Sequence, residues 1–185
     1  MARVLLTKVT HVSQLPLGRI PRTPSLVIRP LTAADVVHIL ELQQLAYDGY
    51  YLESEESFTV KITAGPETCF GAWFDGRLVG YLVAFPLATD EPVNLNSSQI
   101  ESTPMSEAQV LYIHDLAVHP ERRKTGLGDV LLVHLYDSAT RYDIEAYSLV
   151  AVQNSVGFWA DRGFVTQEGL PAIGYGPEAV RMSRR

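Results

Sequence analysis

Short apolar blocks and helical-spacing runs alternate along the chain from residue 26 onward. Leu26 to Arg29 reads as a first strand, and Thr32 with Asp35 predicts the start of a helix carrying Val36, Ile39, Leu40 and Leu45. Ser54 is placed to cap a second, short helix that stops near Gly65-Pro66. Cys69 to Phe74 and Leu78 to Phe85 are β-compatible runs joined through Asp75-Gly76, a dipeptide whose left-handed preference favours a hairpin turn. A polar stretch follows, Ala88 to Ala108, longer than an ordinary connection and therefore expected to have a function or no fixed structure. Strand and helix then alternate over 110–118, 125–142, 147–152 and 155–162, and strands near 164–167 and 179–183 flank a turn rich in glycine and proline. Residues 1–25 show no core-sized periodicity. They hold Pro16, Pro21 and Pro24 with Arg3, Lys8, Arg19 and Arg22, and are expected to be a basic extension ahead of one α/β domain, 26–185.

Composition narrows the class. A chain of 185 residues with 46% hydrophobic content suits a single globular domain rather than a disordered chain. No apolar run reaches the roughly 18 residues of a membrane helix, so no membrane association is expected. The single cysteine, Cys69, excludes an internal disulfide and sits in a strand-like run, which suggests a buried small hydrophobe and a reducing, cytoplasmic setting. Charge is uneven. Residues 1–34 carry five basic and no acidic side chains, whereas 35–107 carry twelve acidic and two basic, Lys61 and Arg77. A negative field of that kind attracts cations and repels polyanions, which argues for an amine partner and against nucleic acid, although solvated carboxylates on loops would give the same count. The five histidines show no metal-ligand spacing with Cys69, and no metal is expected.

The stretch from Tyr112 to Val133 carries the chemistry. Leu111, Ile113, Leu116 and Val118 form an apolar strand pattern, Arg123-x-x-Gly126-x-Gly128 follows, and Leu127, Val130, Leu131 and Leu135 recur at helical spacing. A strand feeding a glycine-bearing turn at a helix start offers free backbone N–H groups, the helix dipole and basic side chains to an anion. A nucleotide P-loop would need Lys and then Ser or Thr at its end, but Asp129 follows Gly128. A dinucleotide fingerprint would need a third glycine and an early strand–helix unit.

Residues 26–182 resemble the GNAT superfamily of acetyl-CoA-dependent N-acetyltransferases, whose signature is a strand, an Arg/Gln-x-x-Gly-x-Gly/Ala loop and a helix. A second marker agrees: a strand over Ser148 to Val152, then Asn154, then Phe158-Trp159-Ala160-Asp161-Arg162-Gly163-Phe164. The resemblance implies a mixed central sheet flanked by helices and splayed between its fourth and fifth strands, with acetyl-CoA as co-substrate. It would place pantetheine against Leu116, Ala117 and Val118, and pyrophosphate over Arg123, Lys124, Thr125, Gly126, Leu127 and Gly128. Asn154 and Phe158 would also meet the cofactor. The segment between the first two helices lines the acceptor pocket in such enzymes, which points to Tyr47, Asp48 and Tyr51, where aromatic faces beside a carboxylate suit a cationic amine. GNAT domains pair in several ways, so a homodimer stays open.

Acetyl transfer from a bound thioester needs a proton acceptor, a stabilised oxyanion and a leaving thiolate. His114 is the candidate base, with Tyr112 beside it on the same strand. In arylalkylamine-type members of the family paired histidines occupy this strand; the second aligns with His114, while Tyr112 replaces the first. A structural histidine would also fit the position. Strand alternation predicts that His114 and Asp115 point to opposite faces. The tyrosine that protonates the thiolate in many members aligns with Trp159, leaving that role to Tyr112, another tyrosine or water. The expected function is acetylation of a small cationic primary amine; a peptide N-terminus, a protein lysine and a non-catalytic acyl-CoA-binding module are the alternatives.

Overall fold

The computed structural model describes residues 25–91, 93–168, 172 and 174–185. The expected extension, apart from Ser25, and part of the turn at 169–173 lie outside the described residues. Strand β1 (Leu26–Pro30) pairs antiparallel with β2 (Phe70–Phe74), which turns at Asp75-Gly76 into β3 (Arg77–Leu87). Both turn residues have positive φ, 49° and 81°, as a two-residue hairpin with strand-matched twist requires. β3 pairs antiparallel with β4 (Val110–Val118), and β4 runs parallel to β5 (Tyr147–Ala151). With β6 (Val165–Thr166) and β7 (Val180–Arg184) the sheet has seven strands in the order β1-β2-β3-β4-β5-β7-β6.

Helices α1 (Val36–Ala46) and α2 (Glu55–Ala64) cover one face. Ser54 caps α2 as expected, its hydroxyl accepting from the Ser57 N–H at 3.2 Å. α1 buries Val36, Ile39 and Leu42, while Leu45, expected on the apolar face, is 57% exposed. The other face is covered by α3 (Leu127–Thr140) and α4 (Val156–Ala160), against which Leu82, Ala84, Leu111, Ile113 and Leu149 pack. Among its described residues the long polar stretch is a strap with one 3₁₀ turn, Met105–Glu107. Val93 and Ile100 pack on Phe85, Leu87, Val110 and Tyr112, and the Thr103 N–H bonds the Pro86 carbonyl at 3.2 Å. No helix of the described residues is long and apolar enough to cross a membrane.

Two irregularities of β4 build the site. β4 and β5 pair only at Leu111, Tyr112 and Ile113, so the edge of β4 beyond Ile113 faces β5 without ladder partners. β4 also bulges: Val83 pairs with Asp115 and Ala84 with Ile113, leaving His114 unopposed. The extra residue shifts the alternation by one. Tyr112, His114 and Asp115 therefore all face the α1/α2 side, His114 against Phe85 and Asp115 against Tyr81, two residues on the same face of β3. This corrects the expectation from simple alternation that His114 and Asp115 point oppositely.

Candidate active site

A cleft of about 630 Å³ runs from the head of α3, along the unpaired edge of β4, to the C-terminal end of α1. At its α3 end Gly126 adopts φ 84°, and the first helical bond is Val130 N–H to Gly126 C=O, so the amides of Leu127, Gly128 and Asp129 have no intrahelical acceptor. A side chain at Gly128 would meet the Phe158 ring at 3.4 Å, which keeps the floor of the turn low. These amides, the helix dipole and the basic side chains Arg122, Arg123 and Lys124 in the cleft wall fit a coenzyme A diphosphate. The stretch Leu116 to Val118, in the cleft wall and without ladder partners in β5, fits the amide-bearing pantetheine arm.

Most residues named from sequence reach this cleft: Leu116, Ala117, Val118, Arg123, Lys124, Gly126, Leu127, Gly128, Asn154 and Phe158 at the cofactor end, Tyr47, Tyr51 and His114 at the other. Arg123 also donates to the Ala46 carbonyl at 3.0 Å, tying the turn to the end of α1. Thr125 instead closes the turn through its hydroxyl to the Arg122 carbonyl at 2.7 Å. Asp48 is exposed and heads a 3₁₀ turn, and Tyr112 lies beneath the cleft floor, 1% exposed against Phe85. Trp159, 6% exposed, packs between Phe158 and Phe164 and also lines the cleft. Cys69 is fully buried and burial pushes its thiol up to about 12, so it is inert.

Four residues that sequence reasoning did not single out complete the acceptor end: Glu53, Lys61, Tyr175 and Asp115, the last noted only as the neighbour of His114. Glu53 Oε1 lies 2.6 Å from His114 Nε2, and its Oε2 accepts from Lys61 Nζ, the Ser57 hydroxyl at 3.0 Å and the Asn96 N–H at 2.5 Å. Gln43 holds the Glu53 backbone through two bonds, 2.8 and 2.9 Å. Burial opposes the charge on Glu53, but His114 and Lys61 outweigh it and hold the carboxyl at about 2. Burial lowers both Lys61 and His114, with Glu53 opposing in each case. Asp115 accepts from the hydroxyls of Tyr47 and, at 2.8 Å, Tyr81, yet burial still pushes it up to about 7. Tyr175, between Gly174 and Gly176 at φ 88° and 85°, sets its hydroxyl 2.7 Å from the Val93 carbonyl and 3.4 Å from His114 Nδ1.

The acetyltransferase (GNAT) family model matches residues 36–164, and the chain belongs to that family. The cradle above is where the residues of such a family member would hold acetyl-CoA. It is 27% identical over 157 residues to N-alpha-acetyltransferase 60 of Xenopus tropicalis, covering 77% of this chain and 65% of that protein's length. Among solved structures it resembles the loading GNATL domain of CurA from Lyngbya majuscula, with TM-score 0.73, 16% identity, and coverage of 86% of this chain and 97% of that one. It also resembles the PaiA N-acetyltransferase of Thermoplasma acidophilum, solved with coenzyme A, with TM-score 0.64, 19% identity, and coverage of 87% and 99%.

The cradle makes a direct prediction. Gly126→Val puts a β-branched side chain at φ 84°, a conformation costing about 1–2 kcal/mol, so the turn relaxes and must be restored on binding. Coenzyme A affinity should fall about tenfold by calorimetric titration. Unchanged affinity would remove the amides of this turn from the diphosphate site.

Proposed function

We propose that this chain moves the acetyl group of acetyl-CoA to a primary amine by direct attack in a ternary complex, and that its acceptor is a small cationic amine. The observation that carries this reading is the continuity of one cleft from the anion cradle to a chamber lined by Tyr47, Tyr51, Glu53, Leu95, Asp115 and Tyr175. The thioester supplies an activated carbonyl when bound. The edge of β4 beyond Ile113, without ladder partners in β5, is where backbone donors would meet a developing oxyanion. His114 is the base, its pKa kept low enough by burial to be neutral at physiological pH. Trp159 lines the cleft but its indole N–H is no acid at physiological pH, and a thiol of pKa about 8–9 leaves as thiolate without one. Aromatic rings beside Asp115 and Glu53 favour a cation over a neutral acceptor. The inert, buried thiol is compatible with a cytoplasmic setting.

The likeness to N-alpha-acetyltransferase 60 favours a second reading, with a peptide N-terminus as acceptor. A thiol-release assay with acetyl-CoA and a panel of arylalkylamines, polyamines, peptides with free N-termini and lysine peptides separates the two. Small amines should give the highest kcat/KM. A clear preference for peptides would replace the acceptor, and silence across the panel from protein that binds coenzyme A would overturn the reading.

A further inference from the structure

The imidazole of His114 is closed off from solvent, its side chain 1% exposed, although its main chain borders the cleft. Each ring nitrogen has one polar neighbour. The Lys61 ammonium and the Asn96 N–H on its other oxygen keep Glu53 a carboxylate that can only accept, so the 2.6 Å contact requires a proton on Nε2. Nδ1 then carries the lone pair, and the group facing it at 3.4 Å is the hydroxyl of Tyr175, a cleft-lining residue 3% exposed, whose oxygen also meets the Val93 carbonyl at 2.7 Å and the Tyr112 hydroxyl at 3.3 Å.

We infer that Glu53, held by Lys61, fixes His114 as the Nε2–H tautomer, and that the Tyr175 hydroxyl passes the acceptor's proton to His114 Nδ1. This rests on the proposed acetyl transfer and names the route of its proton. The step balances: the Tyr175 hydroxyl, which donates to the Val93 carbonyl at rest, rotates its proton to Nδ1 as its oxygen takes one proton from the amine nitrogen, and the phenol is left as it began. The imidazolium so formed stays bonded to the Glu53 carboxylate, and bulk water later takes the proton. No electrons change hands. Glu53 never meets the acceptor proton in this scheme and is a positioning residue, as the carboxylate of a Ser-His-Asp triad is.

The placement is built from four separate elements. Gln43 on α1 and Asn96 on the strap fix Glu53 between α1 and α2, Ser57 and Lys61 on α2 fill its second oxygen, and the bulge in β4 turns His114 toward it. Tyr175 is held by the Val93 carbonyl, and the Tyr50 hydroxyl bonds the Gly174 carbonyl at 3.3 Å. The ionisable groups around His114 are Glu53 before α2, Lys61 on α2, Tyr112 and Asp115 on β4 itself, and Tyr175 from the loop before β7; Tyr47 and Tyr81 act through Asp115. Of these, Glu53 is the one anion in direct contact with the ring.

Nitrogen-15 NMR of histidine-labelled ligand-free protein reads the tautomer without any turnover. His114 should show a protonated Nε2 and an unprotonated Nδ1 at neutral pH; the reverse tautomer overturns the inference. In Glu53→Gln the His114 titration should move to lower pH, because the imidazolium loses its counter-charge, and the acid limb of kcat should move with it. The neutral double variant E53Q/K61M gives the same reading if the single one does not fold, since the ring keeps an acceptor but loses the anion. An unmoved titration removes Glu53 from the scheme. Tyr175→Phe should lower kcat about tenfold or more with KM for acetyl-CoA within twofold and the tautomer unchanged; wild-type kcat in this variant removes Tyr175. If no amine is acetylated while the NMR result holds, the functional reading fails and the arrangement of Glu53 and His114 stands.

Discussion

Lys61→Ala should lower the free energy of unfolding by about 3–5 kcal/mol, the range for a buried ion pair broken on one side. Lys61 is 0% exposed and one of the largest fully buried side chains, with its ammonium against Glu53 and Ser57. Removing it leaves a carboxylate that is 2% exposed facing the neutral-to-basic ring of His114 and a cavity the length of a lysine stem. Collapse into that space is hindered because Phe58 and Tyr81 are packed edge to face beside it. The double variant E53Q/K61M should recover most of the loss, because a neutral amide next to a thioether carries no uncompensated charge. Urea unfolding monitored by tryptophan fluorescence measures both. A single variant within about 1 kcal/mol of wild type would mean that the ion pair is not closed to water as described.

His114→Ala should lower kcat by about 10²–10⁴-fold, the usual span for loss of a positioned base, while coenzyme A affinity holds. The affinity is expected to hold because the amides and basic groups of the cradle come from the turn before α3, and α3 packs on the opposite face of the sheet from the imidazole. The pH dependence follows from the same surroundings. Only neutral imidazole can take a proton, so wild-type kcat rises as pH passes upward through the His114 pKa. Burial lowers that pKa from 6.5, with Glu53 opposing, so the limb should end below its ordinary position. His114→Ala should lose the limb as well as the rate. Equal kcat at saturating substrates, or an identical limb in the variant, would remove His114 from the chemistry. A structural histidine alone would predict loss of stability with kcat per folded molecule unchanged.

The cofactor half of the cleft was legible in the sequence because it depends on local features. Gly126 at φ 84°, the helix start at Leu127 and the strand before it all fall within one stretch of chain, and turn chemistry names them directly. The acceptor half is assembled from α1, α2, the strap, β4 and the loop before β7, and no spacing along the chain announces such a meeting. Traces of it exist all the same. Glu53, Ser57 and Lys61 recur every fourth residue beside the buried Phe58 and Ile62, so a lysine falls next to the apolar stripe of a short helix. Lys61 is also one of only two basic residues in the acid-rich span 35–107. Tyr175 sits between two glycines in a turn, where a large ring needs a reason. Asp48, a carboxylate between tyrosines, lies exposed ahead of the 3₁₀ turn at Gly49–Tyr51, a placement set by local turn geometry that the residue pattern does not report.

The irregularity in β4 was written in the spacing of its apolar side chains. Leu111 and Ile113 are two apart, as are Leu116 and Val118, but three separate Ile113 from Leu116. A perfect two-residue rhythm would be restored by taking out a single position, and the one unopposed in the ladder is His114. The apolar rhythm on either side of that residue would be continuous in its absence, and what it adds is its ring, packed on Phe85 and Tyr112. Eight of the nine residues of this strand keep the ladder in step with β3, and the ninth is an insertion whose side chain is held by Glu53 rather than by the ladder.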